Sequence, residues 1–261
     1  MKQLLIDAGN TRFKWRVLRD GRPGRVHAVG WTPRNVLAGA RRVIVRRYDR
    51  VLVCSVAGAA LERALRRAAR TAGGPAPQFI RSTRRAAGVR NGYAQTWRLG
   101  ADRWVAMLGA RALYPGRALC VVDAGTALTL DLMDAQGRHR GGLLIPGPTL
   151  MVEALLSSTA GIRRRAGTPA AGGPQGSVRF RAFGRSTRAG LRSGSLMACA
   201  ALIERALQEA RAELGVRPAL LLAGGAAGQL APLLRVAYRR VDDLVLRGLA
   251  LLGSADTRSE G

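Results

Sequence analysis

Two stretches of the sequence combine an aspartate, a glycine and hydroxyl or amide side chains at the end of an apolar run. LLIDAGNTRFKW carries Asp7 and Gly9, and CVVDAGTALTLD carries Asp123 and Gly125. In each stretch the glycine lets the backbone turn sharply and approach a ligand closely, and the polar side chains that follow can donate hydrogen bonds. A hairpin of this kind suits a phosphate group.

The aspartates need a separate role, because a carboxylate beside a phosphate would repel it. Each is expected to hold a cation or its water shell, which then bridges to phosphate oxygens. Lys14, one of only two lysines, adds a positive point charge. Asp-Ala-Gly is also an ordinary turn sequence, but its occurrence at matching places in two similar halves favours the phosphate interpretation. The sequence contains no P-loop and no strand-to-helix GxGxxG pattern.

The elements that position these hairpins follow from hydrophobic periodicity and turn residues. Each half is predicted to begin with three strands joined by short turns and followed by a helix. The segment 163–176, rich in Gly, Pro and Arg, is predicted to be a mobile surface loop. The predicted strands are 3–8, 12–18, 25–30, 50–55, 78–81, 118–123, 127–133, 138–145 and 218–223, and the predicted helices are 59–72, 102–113 and 187–214, with one more after Gly147.

Composition limits the class of protein. The 261 residues suit one large or two modest domains, and the repeated hairpin favours two. No run reaches the roughly 20 uncharged apolar residues that span a bilayer, and no targeting signal is recognisable at the N-terminus, so a cytoplasmic protein is expected.

The three cysteines lie far apart in apolar contexts, which indicates buried thiols. With two histidines and no supporting motif, a zinc site and a Ser-His-Asp hydrolase are set aside.

The net charge is strongly positive, with 43 Lys and Arg against 16 Asp and Glu, or +27. Such a charge suggests nucleic acid or another acidic surface as a partner. The arginines are scattered through both halves, however, and lysine occurs only at positions 2 and 14. A compositional preference for Arg over Lys explains this distribution as well as a binding face does, and the sequence does not separate the two.

The hairpins and four further motifs carry a specific resemblance. The hairpins resemble phosphate loops one and two of the acetate and sugar kinase, Hsp70 and actin superfamily, in which two related domains close on ATP. Together with DAGNTRFK and DAGTALT, the further motifs resemble type III pantothenate kinases, in that family's order and from residue 4 to about 252. These further motifs are LGADRW (99–104), GGLLIPG (141–147), GRSTRAGLRSG (184–194) and LLLAGGAAGQL (220–230).

The resemblance implies an α/β fold of two ribonuclease H-like (actin-like ATPase) domains with mixed sheets and a central cleft. The first domain, 1–115, would carry the first phosphate loop and the GADR motif. The second, 116–253, would carry the second phosphate loop and the adenosine region, and 254–261 would be a disordered tail. The implied reaction is ATP-dependent phosphorylation of the primary hydroxyl of pantothenate to 4'-phosphopantothenate, the first step of coenzyme A biosynthesis.

The resemblance also implies a role for individual residues. Asp102 would be the catalytic proton acceptor, and Asp123 would hold a monovalent cation, K⁺ or NH₄⁺. Mg²⁺ would accompany ATP, and the protein would be a homodimer, with Thr187 near its interface. The implied ATP-binding residues are Asp7, Ala8, Gly9, Asn10, Thr11, Lys14 and Thr126, and the implied pantothenate-binding residues are Tyr93, Gly100, Ala101, Asp102, Arg103 and Thr187.

Plainer interpretations of the same residues stay open at this point. Asp102 could be only the N-cap of helix 102–113, and the cap and catalytic roles can also coexist. A helix N-terminus would weaken Asp102 as a base, although a loose transition state needs little early proton abstraction. Tyr93 could be a packed surface aromatic, and Arg103 could be a solvated charge or could bind the substrate carboxylate. AGGAAG (223–228) is by default a close strand-to-helix turn, which in this family lies near the adenosine.

The sequence departs from the family pattern in a few places. Ala226 follows the double glycine where the family commonly has an acidic residue, and QTW (95–97) replaces a proline-bearing stretch. The Arg-rich segment 163–181 is not accounted for. A rival function of another class is transcriptional regulation or nucleic-acid binding, because some family members were first known as Bvg accessory factors. The intact Asp102 favours the enzyme, since a binding module has no use for an aligned base.

Overall fold

The structure is a computed structural model, and it describes residues 1–10, 12–30, 48–167 and 180–255. Its elements match the predicted order closely, and the long helix 187–214 has the predicted bounds. The strands are β1 Lys2–Ala8, β2 Arg12–Arg19, β3 Arg22–Pro23, β4 His27–Gly30, β5 Arg50–Ser55, β6 Gln78–Phe79, β7 Arg85–Ala86, β8 Val89–Arg90, β9 Leu119–Ala124, β10 Ala127–Met133, β11 His139–Pro146, β12 Ala219–Ala223 and β13 Tyr238–Arg240. The helices are α1 Ala59–Thr71, α2 Ala101–Leu113, α3 Pro148–Ser158, α4 Ala160–Ala166, α5 Thr187–Leu214, α6 Ala227–Leu230 and α7 Leu244–Ala255, with short 3-10 turns at Thr96–Arg98 and Ala231–Leu233.

The two main sheets repeat one strand order. The first runs β3-β2-β1-β5-β6, with β4 also paired to β2, and the second runs β11-β10-β9-β12-β13. In the first sheet β1 lies between β2 and β5, and in the second sheet β9 lies between β10 and β12. In the first sheet β1 is antiparallel to β2 and parallel to β5, so the sheet is mixed, as predicted. The two Asp-Ala-Gly hairpins therefore follow equivalent strands, β1 and β9.

The chain divides into two compact units. Unit 1 comprises residues 1–121, 131–141 and 241–261, and unit 2 comprises residues 122–130 and 142–240. The C-terminal helix α7 is thus assigned to the unit that contains the N-terminus. The domain bounds anticipated from the sequence, 1–115 and 116–253, stay a prediction.

The Arg-rich segment was only partly interpreted correctly. Residues 163–166 are helical, at the end of α4, and do not belong to a loop. Arginine is a good helix former, and the Arg163 guanidinium donates hydrogen bonds to the carbonyl oxygens of Leu156 (2.7 Å) and Ser157 (2.6 Å) at the end of α3. Residues 168–176 of the predicted loop lie outside the described residues. In the predicted tail, residues 254–255 are helical, at the end of α7, and residues 256–261 lie outside the described residues.

Helix α2, which begins beside the candidate base, is held by close packing against α7 within unit 1. A Cβ atom at Gly109 would lie 2.3 Å from the carbonyl oxygen of Leu244, and one at Gly248 would lie 2.0 Å from that of Val105. Both positions therefore require glycine for this approach of the two helices. The buried side chains of Trp104, Met107 and Leu108 anchor α2 further. The start of α2 consequently rests on a rigid element.

No helix among the described residues is long and apolar enough to cross a membrane. The three cysteines, Cys54, Cys120 and Cys199, are buried free thiols, as predicted. Burial raises the pKa of Cys120 to about 12, so this thiol is not reactive at neutral pH.

Candidate active site

The first hairpin joins β1 to β2 in unit 1. Asp7 lies opposite Lys14 in the antiparallel register, and the Gly9 amide donates to the Arg12 carbonyl at 3.1 Å to close the turn. Asn10 is exposed at the tip, whereas Asp7 and Lys14 are half-buried. Lys14 Nζ donates to the carbonyl oxygen of Asp242, just before α7, at 3.3 Å. Ala8 is buried in β1, and Thr11 lies outside the described residues.

The GADR motif forms the start of α2, but Asp102 is not its N-cap. The cap position belongs to Gly100, whose carbonyl accepts the first helical hydrogen bond from the Trp104 amide at 3.0 Å. Asp102 lies in the first turn, and its Oδ1 accepts from the Arg103 amide at 2.8 Å. A Cβ atom at Gly100 would lie 2.7 Å from that same oxygen. Gly100 therefore leaves the space that the Asp102 carboxylate occupies.

The basicity of Asp102 also differs from the expectation. The position of Asp102 at a helix N-terminus predicts a weakened base. Instead α2 is covered on most sides, and burial raises the pKa of Asp102, with the charge of Asp131 adding to the effect. The Arg103 amide and guanidinium offset this only in part. Asp102 is therefore a stronger base than an ordinary aspartate, because burial outweighs the helix terminus.

Arg103 is not a solvated charge. Its side chain is 7% exposed and pairs with Asp131 of β10, with Nη2 at 2.6 Å from Oδ1. Its Nη1 donates to the hydroxyl of Tyr93 at 3.0 Å. Tyr93 is half-buried in the segment before α2, so it is not a purely surface aromatic. The structure thus joins two of the residues that were predicted to bind substrate, and it adds an acidic partner that sequence reasoning missed.

The segment that carries Tyr93 is itself held by a buried side chain that the sequence did not single out. Asn91 Nδ2 donates to the carbonyl oxygens of Thr83 (3.2 Å) and Thr96 (3.3 Å), and its Oδ1 accepts from the Tyr93 amide at 2.9 Å. Asn-Gly in a polar stretch would ordinarily signal only a turn. Here the amide side chain ties three parts of that stretch together.

The first hairpin and the GADR motif lie near one buried thiol. Cys54 pairs with Asp7 in the parallel register of β1 and β5. The pKa of Cys54 is raised mainly by burial and further by the negative charges of Asp7 and Asp102. Two aspartates that are far apart in sequence therefore act on the same sulfur. Unit 1 brings the predicted phosphate hairpin and the predicted base into one neighbourhood.

The second hairpin, in unit 2, follows the plan of the first. The Gly125 amide donates to the Ala127 carbonyl at 3.0 Å, which matches the Gly9 contact. Asp123 is half-buried at the end of β9, and Thr126 is exposed at the turn. Neither Gly9 nor Gly125 has a positive φ, so glycine is not required at these two turns by backbone conformation. A Cβ atom at either glycine would make an ordinary contact at 3.5 Å.

A different glycine supports the second hairpin from behind. Gly224, which follows β12, has a φ of +96°, and a Cβ atom there would lie 2.4 Å from Asp123 Oδ1 and 2.5 Å from backbone atoms of Ala124. The Ala226 amide donates to the Ala124 carbonyl at 2.9 Å. The turn AGGAAG is thus a close strand-to-helix turn that presses its backbone against the aspartate. Only glycine meets both demands at position 224.

Asp123 supplies a half-buried carboxylate at the end of β9. Among the described residues, no three His, Cys, Asp or Glu side chains come together as a candidate metal cluster. The backbone at Gly224 packs directly against one side of the Asp123 carboxylate. A single carboxylate beside backbone is an oxygen environment that suits hard cations.

Two further features of unit 2 were not foreseen in detail. Thr187 is half-buried and is the first residue of α5, where Ser186 caps the helix by accepting from the Ala189 amide at 3.2 Å. A cavity of about 920 Å³ lies beside the first half of α5. It is lined in part by Arg181, Arg185, Arg188 and Arg192, by Gly228 at the end of the glycine turn 223–228, and by Gln229 after it.

Comparison with solved structures shows the fold. The structure matches a protein from Campylobacter jejuni described as a conserved Baf family transcriptional activator, with a TM-score of 0.59 and 18% identity over 98% of this chain and 99% of that one. It also matches the activator of the 2-hydroxyisocaproyl-CoA dehydratase from Clostridium difficile, with a TM-score of 0.53 and 13% identity over 100% and 98%. The α/β fold with two ribonuclease H-like, actin-like units is thereby confirmed.

Comparison of sequences shows the family. A protein of Aromatoleum aromaticum named type III pantothenate kinase is 41% identical over 261 residues, covering 97% of this chain and 98% of that protein. One of Nitrosococcus oceani with the same name is 36% identical over 259 residues, covering 95% and 92%. The sequence profile of that family matches residues 3–209. Motifs, fold and relatives agree, and the chain belongs to the type III pantothenate kinase family.

Proposed function

We propose that the protein transfers the γ-phosphoryl group of ATP to the primary hydroxyl of pantothenate, which yields 4'-phosphopantothenate and ADP and begins coenzyme A biosynthesis. Family membership supports the reaction class. The observation that carries the proposal is the half-buried Asp102 at the start of α2, whose pKa is raised by burial and which lies in the same unit as the phosphate hairpin and beside Arg103 and Tyr93.

In unit 1 the first hairpin is proposed to hold the phosphates of ATP. The backbone around Ala8 and Gly9 turns tightly, and the side chains of Asn10, Thr11 and Lys14 are the donors we assign to phosphate oxygens. Asp7 would face the Mg²⁺ that accompanies ATP, since hard cations take carboxylate oxygens. When bound, Mg²⁺ neutralises charge on the β- and γ-phosphates.

Pantothenate is proposed to lie at the start of α2, against Tyr93, Gly100, Ala101, Asp102 and Arg103. Asp102 accepts a hydrogen bond from the primary hydroxyl and orients its oxygen toward the γ-phosphorus. The new oxygen–phosphorus bond forms as the bond to the β-phosphate oxygen breaks, ADP leaves, and the hydroxyl proton passes to the Asp102 carboxylate. The raised pKa of Asp102 suits this acceptance.

In unit 2 we assign Thr126 to ATP phosphates and Asp123 to a monovalent cation, K⁺ or NH₄⁺. The adenosine is proposed to lie by the glycine turn 223–228, where small side chains leave room for a ring. The neighbouring cavity of about 920 Å³ supports this assignment, because its arginines present planar groups that stack on aromatic rings.

The protein is proposed to be a cytoplasmic homodimer, with Thr187 near the interface. Unit 2 exposes several large apolar side chains on β11, α3 and α5, of the kind that a second copy would cover. They are Leu143 (45% exposed), Leu144 (55%), Leu150 (36%), Leu155 (44%) and Met197 (43%), and Phe183 just before α5 is 90% exposed.

A coupled assay of ADP release, with and without pantothenate, tests the proposed function. We expect ADP release to depend on pantothenate and to be stimulated by K⁺ or NH₄⁺. The product should carry one phosphate on the primary hydroxyl, as mass spectrometry would report. ADP release that is indifferent to pantothenate would contradict the assigned acceptor.

The net charge of +27 leads to a separate expectation for nucleic acid. We expect only weak and sequence-indifferent binding, because the arginines are distributed along the whole chain. The logarithm of the association constant should fall by about 0.9 for each tenfold rise in salt concentration, for every DNA phosphate that the protein neutralises. Fluorescence anisotropy with duplex DNA across a salt series measures this slope. A sequence-specific complex that persists at physiological salt would support the regulatory alternative.

A further inference from the structure

The ion pair of Arg103 and Asp131 has no step of its own in the reaction proposed above. The two side chains are 7% and 3% exposed. Nε and Nη2 of Arg103 donate to the two carboxylate oxygens of Asp131 at 2.9 and 2.6 Å. This two-point contact fixes the plane of the guanidinium as well as its position.

Tyr93 is held from two sides by groups that contact Asp131. Its hydroxyl accepts a hydrogen bond from Arg103 Nη1 at 3.0 Å, and its ring stacks on that of His139 at 5.7 Å between centroids and 16° between planes. His139 is buried, and its Nε2 lies 2.8 Å from Asp131 Oδ1, although the two are not aligned as a hydrogen bond. Arg103 and His139 both lie against the carboxylate of Asp131.

The donors of Arg103 leave room for a ligand. A guanidinium carries five N–H groups, of which two are directed at Asp131 and one at Tyr93. Within the described part of the chain, one N–H on each terminal nitrogen is therefore left without a protein acceptor. Because the other three are used on protein partners, the direction of these two is set by Asp131 and Tyr93.

We propose that Asp131 is a positioning residue for pantothenate: it holds Arg103 directly, and Tyr93 through Arg103 and His139, in the orientation in which these two side chains bind the substrate. Asp131 itself does not touch pantothenate. The inference rests on the proposed function, since it takes Arg103 and Tyr93 as substrate-binding residues.

A purely structural role for the pair is the competing explanation. A buried ion pair is often no more stabilising than well-packed apolar residues of similar volume, so stability alone gives little reason to keep one. The contacts of Asp131 also lead to Arg103 and Tyr93, the two residues assigned to the substrate, and Arg103 follows Asp102 directly in the sequence. Both points favour a positioning role.

A double-mutant cycle with Asp131→Asn, Arg103→Lys and the double variant tests the proposal by steady-state kinetics. Asp131→Asn is expected to raise KM for pantothenate about tenfold or more while KM for ATP stays within about twofold. The double variant should be no more than about threefold worse than Arg103→Lys alone, because Asp131 acts mainly through Arg103 and only secondarily through His139. Asp134→Asn, the same substitution in the turn after β10, is the control and should leave both constants unchanged.

The outcomes separate this inference from the proposed function. An unchanged KM for pantothenate in Asp131→Asn, or losses that simply add in the double variant, would overturn the positioning role. If Arg103→Lys also leaves that KM unchanged, the pantothenate site itself is misplaced. Thermal melting of each variant accompanies the kinetics. If Asp131→Asn does not accumulate as folded protein, Asp131→Glu takes its place, since it keeps the charge and displaces the carboxylate by one methylene.

Discussion

Replacing Asp102 by asparagine is expected to lower kcat by about 10²–10⁴-fold, the usual contribution of a positioned proton acceptor. Asn fills nearly the same space, and its side-chain oxygen can still accept the Arg103 amide that Asp102 Oδ1 accepts at 2.8 Å. What it cannot do is take the proton of the substrate hydroxyl. Turnover at saturating ATP and pantothenate, measured for both proteins, reports the loss.

Stability provides the control for this substitution. Burial raises the pKa of Asp102 in the folded state, so the ionised carboxylate costs stability at neutral pH and the cost is complete above that raised pKa. The Asn variant should therefore melt at an equal or higher temperature than the parent. A variant that melts normally but turns over at nearly the parent rate would place the base elsewhere, with Asp123 as the next candidate.

The same raised pKa predicts the pH dependence of the parent enzyme. Asp102 accepts a proton only when ionised, so kcat/KM should fall as the pH drops through its pKa, at a pH above the ~3.9 of an ordinary aspartate. The residual activity of Asp102→Asn should not show this fall at low pH. A parent profile that stays flat down to the ordinary aspartate range would contradict a buried base.

Gly125→Val, with Gly9→Val as its counterpart in the first hairpin, is expected to reduce turnover by about 10²-fold or more while the protein stays folded. Neither glycine has a positive φ, and a Cβ atom at Gly125 would lie 3.5 Å from the Ala127 carbonyl oxygen, an ordinary contact. The fold thus accommodates the side chain. The proposed phosphate position lies directly over the turn, so the valine side chain would exclude the phosphate from it.

Gly224→Ala is the matched contrast, because here the fold itself requires glycine. A positive φ of +96° alone costs about 1–3 kcal/mol for a residue with a side chain, and the clash with Ala124 adds to it. We expect Gly224→Ala to lower the melting temperature, and Gly125→Val to leave it near that of the parent. Circular dichroism and turnover, measured on both, distinguish a lost phosphate site from a lost fold. Normal turnover in folded Gly125→Val would remove the second hairpin from the proposed site.

Local signals in the sequence were sufficient for the elements and the family. Turn residues and periodicity placed each predicted strand and helix to within two residues, because these signals act over a few neighbours along the chain, but they did not predict the short strands β3, β7, β8 and β13 or the helices α4, α6 and α7. The Arg-rich segment was the exception: its glycines and prolines suggested a loop, but residues 163–166 form part of a helix that also contacts the end of α3 through Arg163. That contact depends on tertiary packing.

The sequence by itself determined the two hairpins, the order of the elements, the buried thiols and Asp102 as the candidate base. The tertiary structure alone decided that Gly100 is the cap, that burial strengthens the base, and that Arg103 pairs with Asp131. It also decided that Gly224, and neither hairpin glycine, is the one with a required positive φ. The physical reason is common to all four: burial, charge pairing and close backbone approach depend on residues that are distant along the chain and adjacent only after folding.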